Sequence, residues 1–124
     1  MGIHDGHNCG ATLVKDGKVT CSILEERITR NKNEVGYPLK SIEECLKIAN
    51  IDTTNLLRVV IASNFMHDPS YLQDLASWYL VGEKEQETAK KISSNYHKAI
   101  FLKRRNERIS NVIKHLKVST EIIS

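Results

Sequence analysis

Gly2-Ile3-His4-Asp5-Gly6-His7-Asn8-Cys9-Gly10-Ala11-Thr12-Leu13-Val14-Lys15-Asp16-Gly17-Lys18-Val19-Thr20-Cys21-Ser22-Ile23-Leu24 decides how the fold begins. Asp16-Gly17 is a hairpin-turn signal, because both central positions of such a turn favour residues that tolerate positive φ. The run Ala11 to Lys15 before it is apolar. Lys18 to Leu24 after it alternates polar and apolar, as a half-buried strand does. Gly10 to Glu25 is therefore expected to be a β-hairpin. Gly2-Ile3-His4 ends a further strand, and Asp5-Gly6-His7-Asn8 turns the chain. Together the three strands make an antiparallel meander.

Outward from the meander, Glu25 to Pro38 is polar and closes on Gly36-Tyr37-Pro38, which reads as a loop. A helix follows, with Ser41 as its cap and Glu43 and Glu44 in its first turn, where the helix dipole favours anions. Ile42, Cys45, Leu46 and Ile48-Ala49 supply its apolar stripe, and Asn50 or Asp52 ends it. Leu57 to Ser63 is short, apolar and β-branched, as a buried strand is. Asp68-Pro69 opens a helix-compatible segment, Ser70 to Val81, and Gly82 to Ser94 is polar with no element assigned. Ile109, Val112, Ile113 and Leu116 place a helix over Arg104 to Lys117. Val118 to Ile123 reads as one more strand. The order β-β-β-α-β predicts an α/β chain, a meander followed by alternating helices and strands. No repeat or linker divides residues 1–124, so one domain is expected. The sequence stops at Ser124 directly after an apolar run, as a truncated subdomain would.

The 124 residues are 40% hydrophobic and 27% charged, which excludes a disordered composition and allows a core without disulfide staples. The net charge of +3 suits an anionic small ligand and does not demand nucleic acid. Cys9, Cys21 and Cys45 are odd in number and widely spaced, so neither a disulfide framework nor a zinc knuckle is expected. Three reduced thiols point to a reducing compartment. No run approaches the ~18 apolar residues of a spanning helix, and no secretory leader opens the chain. A cytoplasmic protein is expected, with no membrane partner.

Three stretches could carry chemistry. In Gly2 to Ala11, glycines surround His4, His7, Asp5 and Asn8. Glycine turns present backbone N–H groups that bind phosphate oxygens, and a histidine there can donate to an oxygen or move a proton. An ordinary polar turn has the same composition, and His4-x-x-His7 with Asp5 is only a weak metal pattern. In Glu25 to Asn33, Arg27, Arg30 and Lys32 could clamp an anion, with Glu25 and Glu26 holding the arginines; a solvated loop with surface ion pairs is the alternative. The basic run Lys98, Lys103, Arg104, Arg105, Arg108, Lys114, Lys117 is interrupted by Glu107, so it reads as the solvated face of a helix rather than a nucleic-acid site. Trp78-Tyr79 reads as helix packing.

Read in order, Gly6-His7-Asn8-Cys9-Gly10-Ala11, the Asp16-Gly17 hairpin, Glu25-Glu26-Arg27-x-x-Arg30-x-Lys32-Asn33, Gly36-Tyr37-Pro38 and Ile42-x-x-Cys45-Leu46 resemble the opening of the O-carbamoyltransferases of the nodulation-factor, cephamycin and tobramycin type. The match is dense through Leu46 and thins from Leu57 to a likeness of element order. The resemblance implies a partial actin/Hsp70-like (ribonuclease H-like) lobe. It implies a full-length enzyme that uses ATP to activate carbamoyl phosphate as carbamoyl-adenylate, then passes the carbamoyl group to the hydroxyl of a small molecule. It places His7 as the catalytic residue in the ligand turn beside Asn8. Glu26, Arg27, Arg30 and Lys32 then line or brace the anion side, where they stabilise charge developing on oxygen.

The chain departs from the family pattern at Asn33, where many members carry His, and at Cys9-Gly10, where many carry two small residues. The family's metal ligands, an H-H-x-x-H-A segment that implies a divalent ion such as iron, do not occur in these residues. His67, His97 and His115 are isolated. Neither ATP nor metal is therefore expected to bind the 124-residue chain alone, and the remainder of its own chain is the expected partner. The alternative is a free-standing, non-catalytic interaction domain, or a homo-oligomer formed through exposed edge strands.

Overall fold

The computed structural model describes residues 1–62 and 95–124, with side chains left aside at 95–98, 100 and 101. Two compact units divide the chain. One comprises Met1–Ser63 with Arg108–Ser124, the other Asn64–Glu107. Of the second unit only the start of a helix is described. The expected segments Ser70 to Val81 and Gly82 to Ser94, with Asp68-Pro69, His67 and Trp78-Tyr79, lie outside the described residues, as does Ser63.

The first unit is a mixed α/β structure around a four-stranded sheet, in the order β3-β2-β1-β4. The meander forms as the pattern predicts: β1 (Gly2–His4), β2 (Gly10–Lys15) and β3 (Lys18–Leu24) pair antiparallel in sequence order. Asp16 and Gly17 turn the hairpin with φ of 51° and 76°, so both central residues occupy the left-handed region that the strand twist favours. A bulge after Leu13 shifts the register, pairing Val14 with Val19. Alternation then sorts the faces: Ile3, Ala11, Leu13 and Cys21 are buried, while Val14, Val19 and Leu24 are exposed. β4 (Val60–Ile61) joins beside β1 in parallel, as the helical crossover requires.

The strand expected over Leu57 to Ser63 is thus much shorter. Leu57 is 91% exposed, and the Arg58 carbonyl accepts a hydrogen bond from the Met1 amino group rather than a strand partner. The expected loop from Glu25 to Pro38 also needs correction. It opens with a five-residue helix, α1 (Glu25–Thr29), which stops where Arg30 turns left-handed at φ 66°.

The crossover helix, α2 (Leu39–Ala49), lies over β2 and β3. Ile42 and Cys45 are fully buried, and Asn50 ends the helix in the left-handed region, as expected. Ile48 falls off the buried stripe at 53% exposed. Ser41 does not cap α2. It is the third residue of the helix, behind Pro38 at the cap position, and Glu43 and Glu44 fall beyond the first turn. A carboxylate from elsewhere takes over the capping, as described below.

The basic helix, α3 (Asn95–Leu116), starts well before Arg104 and closes the core with Val112 and Leu116. The strand expected over Val118 to Ile123 is mostly absent. Lys117 turns left-handed, and the Ser119 hydroxyl accepts from Glu121 N, nucleating a 3-10 turn at Thr120–Ile122. Only Ile123 then bridges Val59 in parallel.

Candidate functional site

The two motifs meet at one end of the sheet, and backbone hydrogen bonds join them. His7 bridges Val35 antiparallel, and Cys9 N donates to the Glu34 carbonyl at 3.1 Å. Glu25 N donates to the Cys9 carbonyl at 2.9 Å. The turn Asp5 to Cys9 is thereby gripped on one side by the start of α1 and on the other by the end of the loop that follows it. Asn8 sits in the turn with φ 58°, a region asparagine tolerates. Gly10 leaves the turn against β3 so closely that a Cβ would stand 2.5 Å from the Ile23 carbonyl oxygen.

Four carboxylates hold this arrangement. Glu25, 5% exposed, accepts from Lys40 N at 3.0 Å and Ser41 N at 2.7 Å, so it caps α2 from the preceding helix. Glu26 accepts from Asn33 N at 2.9 Å, across the mouth of the loop. Glu34 accepts from the Thr29 hydroxyl, which also reaches the Glu25 carbonyl. Asp5 forms an ion pair with Arg108, Oδ2 standing 2.7 Å from Nε, with side-chain exposures of 10% and 18%. The expectation that Glu25 and Glu26 hold the nearby arginines is therefore overturned. Backbone N–H groups, short of acceptors at helix and turn ends, take the carboxylates first.

The candidate site residues are differently placed. His7, Asn8, Arg27, Arg30 and Lys32 are exposed and Glu26 is half-buried. The ion pairs formed among the described residues, Lys47–Glu44, Arg108–Asp5 and His115–Glu43, include none of the three cations Arg27, Arg30 and Lys32. Beside His7, both ring nitrogens of His4 are already met, Nδ1 at 3.0 Å from the Ala62 carbonyl and Nε2 at 3.0 Å from that of His7. His4 therefore ties β1 to its own turn rather than facing a ligand. Among the described residues no group of three or more His, Cys, Asp or Glu stands where it could hold a metal ion.

Sequence reasoning missed Glu25 as a cap and Asp5–Arg108 as a part-buried pair. Glu25 stands in a Glu-Glu-Arg run that suggests ion pairing, and Arg108 stands in a run that reads as solvated. Only the Glu107 interruption hinted that the basic face was mixed. His115, read as isolated, lies 3.1 Å by Nδ1 from the Tyr37 hydroxyl and 3.6 Å by Nε2 from Glu43. Burial pushes the Tyr37 hydroxyl pKa well above its ordinary value.

A family model described as the carbamoyltransferase N-terminus matches residues 1–121. The chain belongs to that family. Its similarity to individual members is confined to part of the chain. An uncharacterized protein of Methanocaldococcus jannaschii is 39% identical over 59 residues, 48% of this chain and 12% of that protein. One of Synechocystis is 42% identical over 45 residues, 36% of this chain and 7% of that one. The nodulation protein NolNO of Sinorhizobium fredii is 37% identical over 54 residues, covering 44% and 8%. The match with each of these curated relatives thus spans about an eighth of the relative's length or less. The carbamoyltransferase N-terminal residues described here contain no helix long and apolar enough to cross a membrane.

Proposed function

We propose that this chain is the N-terminal part of an O-carbamoyltransferase that activates carbamoyl phosphate with ATP as carbamoyl-adenylate and transfers the carbamoyl group to a hydroxyl. One observation carries the reading: the His7 turn and the Glu34-Val35 end of the cationic loop are hydrogen-bonded into one frame. Two motifs separated in sequence thus form a single surface with exposed donors. Arg27 and Arg30 offer planar forks to phosphate or carbamoyl oxygens, and Lys32 offers a compact charge. Glu26 braces them indirectly, by fixing the backbone at Asn33. His7 is the residue proposed to move a proton at the reacting oxygen, with Asn8 beside it contacting the ligand.

A meander followed by a helix and a strand parallel to β1 supports the partial actin/Hsp70-like lobe. The family resemblance places the proposed divalent ion, its ligands and the adenine side in the remainder of the full-length protein. The 124-residue chain is accordingly proposed to be inactive alone. Two measurements test this. The full-length protein should transfer a labelled carbamoyl group from carbamoyl phosphate to a hydroxyl acceptor only when ATP is present. The 124-residue chain should show no ATP binding by calorimetry at micromolar concentrations. Carbamoyl transfer independent of ATP, or micromolar ATP binding by the short chain, refutes the corresponding half of the proposal.

A further inference from the structure

Cys21 on β3 and Cys45 on α2 face each other across the layer between sheet and helix. The Cys45 thiol lies 3.0 Å from the Cys21 sulfur and 3.6 Å from the Ala11 carbonyl oxygen. A disulfide bond measures ~2.05 Å, so closing the pair needs a movement of about 1 Å. Both cysteines are free and buried, Cys45 completely and Cys21 to 8% exposure. Cys21, at 8% exposure against 0% for Cys45, is the thiol of the two that a small reagent meets first. Cys9 is also free and buried.

We propose that Cys21 and Cys45 are a reversible oxidation site that closes a disulfide between β3 and α2. The chain between them contains α1 and the whole loop bearing Arg27, Arg30 and Lys32, so oxidation fastens that loop at both ends. The proposal does not depend on the catalytic reading. With a low-molecular-weight disulfide as oxidant, the Cys21 thiolate attacks one of its sulfurs. The reagent's S–S bond breaks, and the thiolate that leaves takes up the proton Cys21 lost. Cys45, deprotonated in turn, attacks the Cys21 sulfur of the mixed disulfide. The Cys21–Cys45 bond forms, and the second small thiolate departs with the Cys45 proton. Two protein thiols are oxidised and one small disulfide is reduced to two thiols. Burial pushes the Cys45 thiol up to about 12, so the second step is slow at neutral pH and quickens as pH rises.

The test incubates the full chain with oxidised glutathione, then measures intact mass, free thiols after unfolding, and disulfide-linked peptides. The expected product is lighter by two hydrogens, retains the Cys9 thiol alone and yields a Cys21–Cys45 peptide. Its Tm rises by about a few degrees and returns on reduction, because the cross-link restricts the unfolded chain. Cys9→Ala keeps the cross-link and Cys45→Ala abolishes it. Should Cys45→Ala fail to fold, the peptide map of the unsubstituted chain still decides. Three thiols surviving oxidation, glutathione adducts alone, or a link to Cys9 each overturns the proposal. So does formation of the same link at the same rate in denaturant, because the folded contact would then contribute nothing.

Discussion

Glu25 and Arg30 belong to one short segment and meet opposite fates. The Glu25 carboxylate is buried with two backbone N–H groups on it, while the Arg30 side chain is exposed. The same division runs through both motifs. Asp5 is paired with Arg108, Glu25, Glu26 and Glu34 each accept from a donor in the fold, and His7, Arg27, Arg30 and Lys32 are exposed. The cause is a mismatch in backbone supply. Helix starts and turns leave N–H groups without partners, which carboxylates can accept and cations cannot. In these two motifs the acidic residues therefore become frame, and Arg27, Arg30 and Lys32 stay at the surface.

The largest effect should fall on activity and leave the frame untouched. In the full-length protein, His7→Ala or Arg30→Ala should lower carbamoyl transfer by about 100-fold or more, the scale of a lost charge-stabilising group. Urea unfolding of the same variants should stay within about 0.5 kcal/mol, since an exposed side chain is removed. A near-normal rate would break the division, because the exposed residues would then be surface and nothing else. Next comes a contrast between two arginines. Arg108→Met strands the Asp5 carboxylate in a part-buried position and should cost about 2 kcal/mol of stability, between the values for exposed and buried pairs. Arg30→Met should be close to neutral. Equal costs in urea titrations of the two variants would show that the frame is not where the carboxylates place it.

Much of the frame was legible in the sequence, and its closure was not. The meander followed from alternation and Asp16-Gly17, because both are local signals read within a few residues. The end of α2 at Asn50 followed for the same reason. The strands over Leu57 to Ser63 and Val118 to Ile123 were overread, because apolar β-branched runs report burial and not pairing. Ser119 capping a 3-10 turn competes with a strand in a way hydropathy does not register. Ser41 has the composition of a cap, yet the cap of α2 is Glu25, sixteen residues earlier. Long-range caps of this kind leave no spacing rule. The site residues rest on motif resemblance, and the carboxylate contacts around them emerge only in three dimensions.

Glu25→Gln probes the frame more gently. One amide oxygen replaces one carboxylate oxygen, and the amide NH2 must then face Lys40 N or Ser41 N, donor against donor. The loss should be about 2 kcal/mol, read as a lower urea midpoint at unchanged slope. A wild-type midpoint would mean that α2 does not need this cap. Because Glu25 N also holds the Cys9 carbonyl, the variant separates capping, which it disrupts, from the backbone bond, which it keeps.

The smallest effect sits where the loop leaves the site. Tyr37 follows Gly36, and its hydroxyl meets His115 on α3, so it belongs to the frame although it carries no charge at neutral pH. Tyr37→Phe removes that hydrogen bond and should cost about 1 kcal/mol. The pH dependence sharpens the point. Burial raises the folded phenol above its ordinary value of ~10, so above that pH the unfolded chain loses a proton the folded chain retains. Stability held below about pH 10 is therefore lost as pH climbs toward the folded value. Cys9 and Cys45, also raised by burial, contribute the same sign in both proteins and cancel in the comparison. The wild-type urea midpoint should thus fall more steeply between about pH 8 and about pH 10.5 than that of Tyr37→Phe. Parallel profiles would place the Tyr37 hydroxyl in water, and the loop would then be anchored to the fold by its carboxylates and backbone bridges alone.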